Sequence, residues 1–242
     1  MKEASMRWSV TFALLALGAC PAIAQENEAE KLFRSMEQQI RTAKTLQIHF
    51  DAIVTGADTK KGNVKGTLTL GEGDKLRAEA EGKLFGEESK FTLVSDGTDM
   101  KSFGYTQAPG KPKQDKNETE KSPKMIGAYF RDALPGHGFF VSFLNMNARS
   151  KLAPDHIKLS DFKFAGEEKI GERNTQVIQY TATAKGKSAN VLSMKVWLDA
   201  KTKMPVKRTM TGGGSDVTEV TEIYSEFTVD GNVDAKSFVL PK

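Results

Sequence analysis

Few side chains in this sequence could do chemistry, and they are scattered. His49, His137 and His156 lie far apart, and no spacing of His, Cys, Asp or Glu matches a zinc or haem site. His49 falls on the polar face of an alternating stretch and is read as solvent-facing, while His137 sits in a bend between Gly136 and Gly138. Glu87-Glu88 and Glu167-Glu168 are paired carboxylates. Adjacent residues in a strand or turn point apart, however, so both pairs read as solvated charge rather than a shared general acid. Gly212-Gly-Gly214 could cradle an anion only with a helix N-terminus behind it, and no helical pattern follows. No G-x-S-x-G, P-loop or dinucleotide fingerprint is present. The expectation is therefore of no catalytic residue, no metal and no cofactor. Function has to lie in binding.

The bulk numbers set the frame for that binding. With 242 residues, 38% hydrophobic and 27% charged, the chain suits one medium-sized globular domain. Its net charge of +4 is spread over interspersed acidic and basic residues, so no dedicated nucleic-acid surface is expected. Arg7 leads an apolar run, Trp8 to Ala19, too short to span a bilayer comfortably. Pro21-Ala-Ile-Ala24 then offers an A-x-A cleavage site before Gln25, so residues 1–24 read as a secretory signal peptide. The only cysteine, Cys20, lies inside that leader, which leaves no disulfide to the mature chain. A second reading stays open: Leu17-Gly-Ala-Cys20 resembles a bacterial lipobox, in which Cys20 becomes the lipidated first residue of a membrane-anchored lipoprotein.

The elements that must do the binding follow from periodicity. Glu26 to Ala43 reads as an amphipathic helix with Ala29, Leu32, Phe33, Met36, Ile40 and Ala43 on one stripe. Alternation then predicts strands over Thr45–Thr55, Val64–Leu70, Leu76–Ala80, Phe91 onward and, after the Asp96-Gly97 turn, Met100–Gly104. Tyr105–Ser122 has two prolines, many lysines and almost no apolar residues, so it is expected to be a long exposed loop. Two helical pieces follow, Pro123–Leu134 and the apolar Phe139–Leu144, interrupted by Pro135-Gly-His-Gly138. Strands resume at Ile157–Phe164, Asn174–Ala184, the hairpin Val191–Thr209 and Val217–Val229. In that hairpin Leu192, Met194, Val196 and Leu198 share one face, and Trp197 is placed on the outward one.

This pattern predicts a mainly β fold of about ten to eleven antiparallel strands with about three helices. Amphipathic helices need an apolar bed that a two-sheet sandwich does not spare. A single strongly curved sheet, an incomplete β-barrel with helices on its concave side, supplies one. Ten strands about 4.8 Å apart make a sheet roughly 48 Å wide, whereas three helices about 10 Å across cover about 30 Å of it. Apolar surface left over in such a trough is the usual sign of a ligand cavity; filling by side chains is the alternative.

The chain also resembles the outer-membrane lipoprotein carriers, the LolA-like and LolB-like proteins. The resemblance rests on an exported chain opening with an amphipathic helix and strand, on Leu93-Val-Ser-Asp-Gly97, and on the closing Gly231-Asn-Val-Asp-Ala-Lys-Ser-Phe238-Val-Leu-Pro241. Trp197-Leu-Asp199 and Met204-Pro-Val206 are similar to late strands of the wider superfamily. It covers residues 25–242 as one lipid-binding domain and implies a non-enzymatic periplasmic carrier for acyl chains of lipoproteins or lipids, moving them toward the outer membrane. The implied partners are an acylated lipoprotein or lipid and inner- or outer-membrane proteins, with no nucleic acid and a monomeric state. The carriers hold their lid with an arginine before the third strand. Here Gly71-Glu-Gly-Asp74 occupies that region and Arg77 points outward, so that role is not transferred. The expected cavity lining is Leu68, Leu76, Phe91, Leu93, Phe139, Phe140, Phe143, Leu192, Met194, Val196 and Phe227, with Gly136 and Gly138 as the lid hinge. The alternative is an envelope protein anchored through Cys20 that uses the same fold as a sensor or interaction module. The two leader readings predict different termini. Simple secretion leaves Gln25 as the N-terminal residue, whereas anchoring gives fatty-acid label that disappears in Cys20→Ser.

Overall fold

Asn27 starts the first helix by accepting the Ala29 amide at 2.9 Å, which satisfies one of the donors a helix N-terminus leaves open. In the computed structural model this helix, α1, runs Glu28–Thr42 and buries Ala29, Phe33, Met36 and Ile40. The described residues are 27–56, 61–84, 86–142, 157–184, 191–212 and 217–241. Six strands follow: β1 (Leu46–Gly56), β2 (Lys61–Leu70), β3 (Lys75–Leu84), β4 (Glu87–Asp96), β5 (Asp99–Gln107) and β6 (Gln114–Lys121). Helix α2 (Ile126–His137) comes next, then a helical turn at 139–142. Five more strands complete the chain: β7 (Ile157–Ile170), β8 (Arg173–Ala184), β9 (Val191–Asp199), β10 (Pro205–Thr211) and β11 (Val217–Val229).

All eleven strands belong to one antiparallel sheet in the order β6-β5-β4-β3-β2-β1-β11-β10-β9-β8-β7. Two meanders are thus joined where β1 pairs with β11, Ile48 opposite Phe227 and Val54 opposite Val220. Strands β6 and β7 stand at opposite edges, so the barrel is open. The inward residues of β1, Leu46, Ile48, Phe50, Ala52 and Val54, are all buried, as the alternation requires. Phe33 from α1 lies 5.0 Å from the Phe162 ring and 4.8 Å from that of Tyr180, measured between centroids. That aromatic cluster closes the β7–β8 side. The tail ends in a 3₁₀ turn, Ala235–Phe238, whose buried Phe238 sits where a side chain on Gly71 would otherwise go.

Three expectations need correction. Tyr105–Ser122 is not a long loop: β5 continues to Gln107, and Gln114–Lys121 pairs with it as edge strand β6. All eight residues of β6 are exposed, so it carries no apolar alternation for a periodicity to detect. Pro135 does not interrupt the helix either. It lies in the last turn of α2, and the break falls at Gly138. Trp197 does point outward but is only 5% exposed. Lys207 Nζ stands 4.4 Å from its ring centroid, and its indole N–H donates to Glu168 at 2.8 Å.

Burial of Phe33 in three-way aromatic contact makes it the most costly single truncation in α1. Phe33→Ala is expected to lower unfolding free energy by about 3–5 kcal/mol, read as a shift of the urea midpoint.

Candidate functional site

The register lets one inward row be followed across the sheet. Tyr224, Phe50, Gly66, Ala80, Phe91, Gly104 and Lys116 stand opposite one another, strand by strand. Gly66, Ala80 and Gly104 offer no more than a methyl group. The Phe50 ring fills the space over Gly66, where a Cβ would come within 2.7 Å of it, and Phe139 lies on Phe50 with centroids 4.4 Å apart. Nothing comparable covers Ala80 and Gly104. The concave face there keeps a groove of about 540 Å³, within the usual range of ligand sites. Val64, Ala80, Leu84, Phe91 and Phe140 form its apolar wall, and Ser89, Thr106, Gln114, Lys116 and Glu118 form a polar side toward β6. The outer face has a depression of similar size, lined by the paired charges Lys65, Glu81, Lys90, Arg77 and Glu79. Its ion pairs satisfy one another, so it is the weaker candidate.

Phe140 reaches the groove because of the junction between α2 and the turn at 139–142. Gly138 makes the bend at φ 82°, a conformation that favours glycine. A side chain there would collide with the Glu222 carboxylate. Glu222 accepts the amides of Phe139 and Phe140 at 3.0 and 2.7 Å, together with the Tyr224 hydroxyl. Its cross-strand neighbour Arg208 donates to the carbonyl of Pro135 at 2.8 Å and to the Tyr180 hydroxyl at 2.9 Å. Tyr180 in turn donates to the Gly136 carbonyl at 3.0 Å. A cation thus meets the carbonyl end of α2 and an anion meets the amide end of the next turn, each the favourable match to the helix dipole. Arg208 and Glu222 are each only 2% exposed. Burial pushes the Glu222 carboxyl up, and the Tyr224 hydroxyl, Arg208 and the two amides pull it back down.

The other end of α2 is tied to the β2–β3 turn. Asp74 accepts the amides of Met125 and Gly127 at 3.0 and 3.1 Å. Arg131 donates to the carbonyls of Ala43, Lys44 and Gly71 at 2.9, 3.0 and 3.2 Å. An arginine therefore does bind the helix over the trough, but it stands on the helix rather than in the strand region where the carriers place it. Arg77 faces outward, as its parity requires, and bonds Glu79.

The expected lining residues fall into two groups. Phe91 and Phe140 border the groove. Leu68, Leu76, Leu93, Phe139, Met194 and Val196 are buried in the packed core, while Leu192 and Phe227 are half-buried against it. Gly138 has the hinge-like backbone, and Gly136 continues α2. Phe143, His156 and Cys20 lie outside the described residues. His137 is not in an open bend: it is 7% exposed at the end of α2, its Nδ1 donating to the Ala133 carbonyl at 3.2 Å. Among the described residues no three His, Cys, Asp or Glu side chains gather to hold a metal.

Arg208 and Glu222 escaped the reading of the sequence, although a signal was present. Each breaks an otherwise apolar row, Arg208 between Val206 and Met210 and Glu222 between Val220 and Tyr224, on neighbouring strands.

No protein-family model and no curated protein matches the sequence. Solved structures do match. LprF from Mycobacterium bovis aligns with a TM-score of 0.52 at 13% identity, over 86% of this chain and 95% of that one. The Mycobacterium tuberculosis lipoprotein LppX gives 0.45 at 14% identity over 85% and 98%, and a LolA superfamily protein from Nitrosomonas europaea 0.34 at 8% over 88% and 97%. The likeness to LprF is one of fold. Like LprF in fold, the chain is a mainly β open barrel, one antiparallel sheet with helices over its trough.

His137 makes the helix junction sensitive to acid. Burial lowers its pKa to about 4 from the ordinary 6.5, and Arg208 nearby lowers it further, against the Ala133 hydrogen bond. Below pH 6.5 the unfolded chain binds a proton that the folded chain refuses, so stability is complete above pH 6.5 and lost progressively down to pH 4. The expected loss is about 3 kcal/mol. Urea midpoints of the protein and of His137→Gln, compared at pH 7 and pH 4, should show the variant losing less by that amount.

Proposed function

We propose that this chain is a non-enzymatic periplasmic carrier that shelters an acyl chain of a lipid or lipoprotein and passes it on toward the outer membrane. The groove beneath Phe140 carries the reading. It is an open part of the concave face walled by Val64, Ala80, Leu84, Phe91 and Phe140, and its roof is a helix junction rather than continuous strand. Burying ten methylenes there would contribute about 8 kcal/mol before the cost of association, enough for reversible non-covalent carriage. The fold shared with LprF supports the reading.

Release requires the roof to lift, and the attachments of α2 suit that. Asp74 and Arg131 hold it through hydrogen bonds to main chain near the surface, which water can replace as the helix moves. The Glu222 and Arg208 contacts at the other end are buried, so they serve as the pivot.

The test is to purify the exported protein, extract it into organic solvent and identify acyl species by mass spectrometry, then offer it an acylated lipoprotein. Bound acyl species and capture of the lipoprotein are expected. Phe91→Asp, which places a charge at a half-buried position on the groove wall, should abolish both while leaving the far-ultraviolet circular dichroism unchanged. A protein that yields no lipid and captures no acylated probe is not a carrier.

A further inference from the structure

The groove has a blind end, and one residue sets how deep it is. We infer, resting on the carrier reading, that Ala80 is the stop for the tail of the acyl chain and fixes the longest chain the groove can bury. The register shows where the groove ends. From the β3–β4 turn inward, Leu84 faces Glu87, Gly82 faces Ser89 and Ala80 faces Phe91, all on the concave side. Exposure falls along that line. Glu87 is exposed and Ser89 half-buried. Ala80 is 9% exposed, and Leu68, Ala78 and Leu93 in the next inward row are 2% exposed or less. The groove therefore opens beside the β3–β4 turn and closes at the row of Ala80, roughly 13 Å further along the strand.

Polarity orients the chain. Val64, Ala80, Phe91 and Phe140 wall the groove within, whereas Glu87, Thr106 and Gln114 on its open sides are polar and exposed. A polar head left on those sides keeps its water while the tail runs inward to Ala80. The reverse orientation would strip the head of hydration at an apolar end without replacing it.

Sterics single out Ala80. Gly66, Ala80 and Gly104 are the small residues of the closing row, and two of them have no room to be larger. A side chain on Gly66 would meet the Glu79 carbonyl and the Phe50 ring, and one on Gly104 would meet the Lys90 carbonyl. Ala80 already carries a Cβ on the groove wall, so a longer side chain there extends into the open space. Depth is thus set at one position, by the choice of alanine over a larger residue.

The experiment measures how tightly the delipidated exported protein binds saturated lysophosphatidylcholines, from octanoyl to palmitoyl, each below its aggregation concentration. Displacement of a fluorescent fatty acid gives the affinity. It is expected to rise about fourfold per methylene and to level off at the length whose tail reaches Ala80. Ala80→Leu should move that plateau to chains about three carbons shorter, the carbons that leucine adds, and leave the affinity for still shorter probes unchanged. Ala80→Val, a change that suits a strand, should move it by about two carbons and serves if leucine disturbs the fold. A plateau at the same length in both variants, or an equal loss at every length, would overturn the role of Ala80 and leave the carrier reading standing. So would an affinity that climbs through the whole series without levelling off. If the unaltered protein binds no acylated probe, the carrier reading fails and this inference with it.

Discussion

Two opposite charges on neighbouring strands, Arg208 of β10 and Glu222 of β11, hold the helices over this sheet. Burying either one alone would be costly, since an unpaired charge in the interior loses its hydration without compensation. Here each finds hydrogen-bond partners of the required sign at the end of a helix. Arg208 takes the carbonyl end of α2 and Glu222 the amide end of the next turn. The bend between the two is thereby fixed at Gly138, and with it the position of the Phe139 and Phe140 rings. Phe139 goes down onto Phe50 and becomes core; Phe140, one residue on, becomes a wall of the groove.

The same constraint divides the trough. Toward β7 and β8, the large side chains Phe33, Phe162 and Tyr180 meet beneath α1 and leave no room. Toward β3–β5, Ala80 presents only a methyl group, and Gly104 takes a backbone (φ 147°) in which a side chain would meet the Lys90 carbonyl. Packing near crystal density is the ordinary state of an interior, so the open half reflects a choice of small residues on an otherwise regular sheet.

Most of the fold was legible because an amphipathic strand such as β1 advertises itself by its alternation of buried and open residues. Edge strand β6 does not. With both faces in water, Gln114–Lys121 has no apolar parity to display, and its lysines, with Pro109 and Pro112 just before it, look like those of a loop. Pro135 misled because a proline inside a helical pattern ordinarily ends it, whereas α2 runs on to His137 and Arg208 takes up the Pro135 carbonyl. The site was legible only in part. Phe91 and Phe140 could be picked as apolar residues in the right elements, but core and groove lining share the same parity. Only the three-dimensional register shows which residues face small neighbours. Trp197 shows the converse, an outward residue buried by local partners that no periodicity encodes.

The pairing of β1 with β11 has a consequence for how the chain comes to be folded. β1 holds the middle of the sheet, yet its partner on one side is β11, the last of the described strands in chain order. Contacts between such distant segments close large loops and are slow to form. Until they do, β1 carries an open edge and an uncovered apolar face. The N-terminal meander can gather locally, strand by strand, but β1 stays unpaired on one side until β11 arrives. A newly made molecule therefore remains incompletely folded for as long as its last strand is missing, and in that interval it depends on whatever keeps unpaired edges apart.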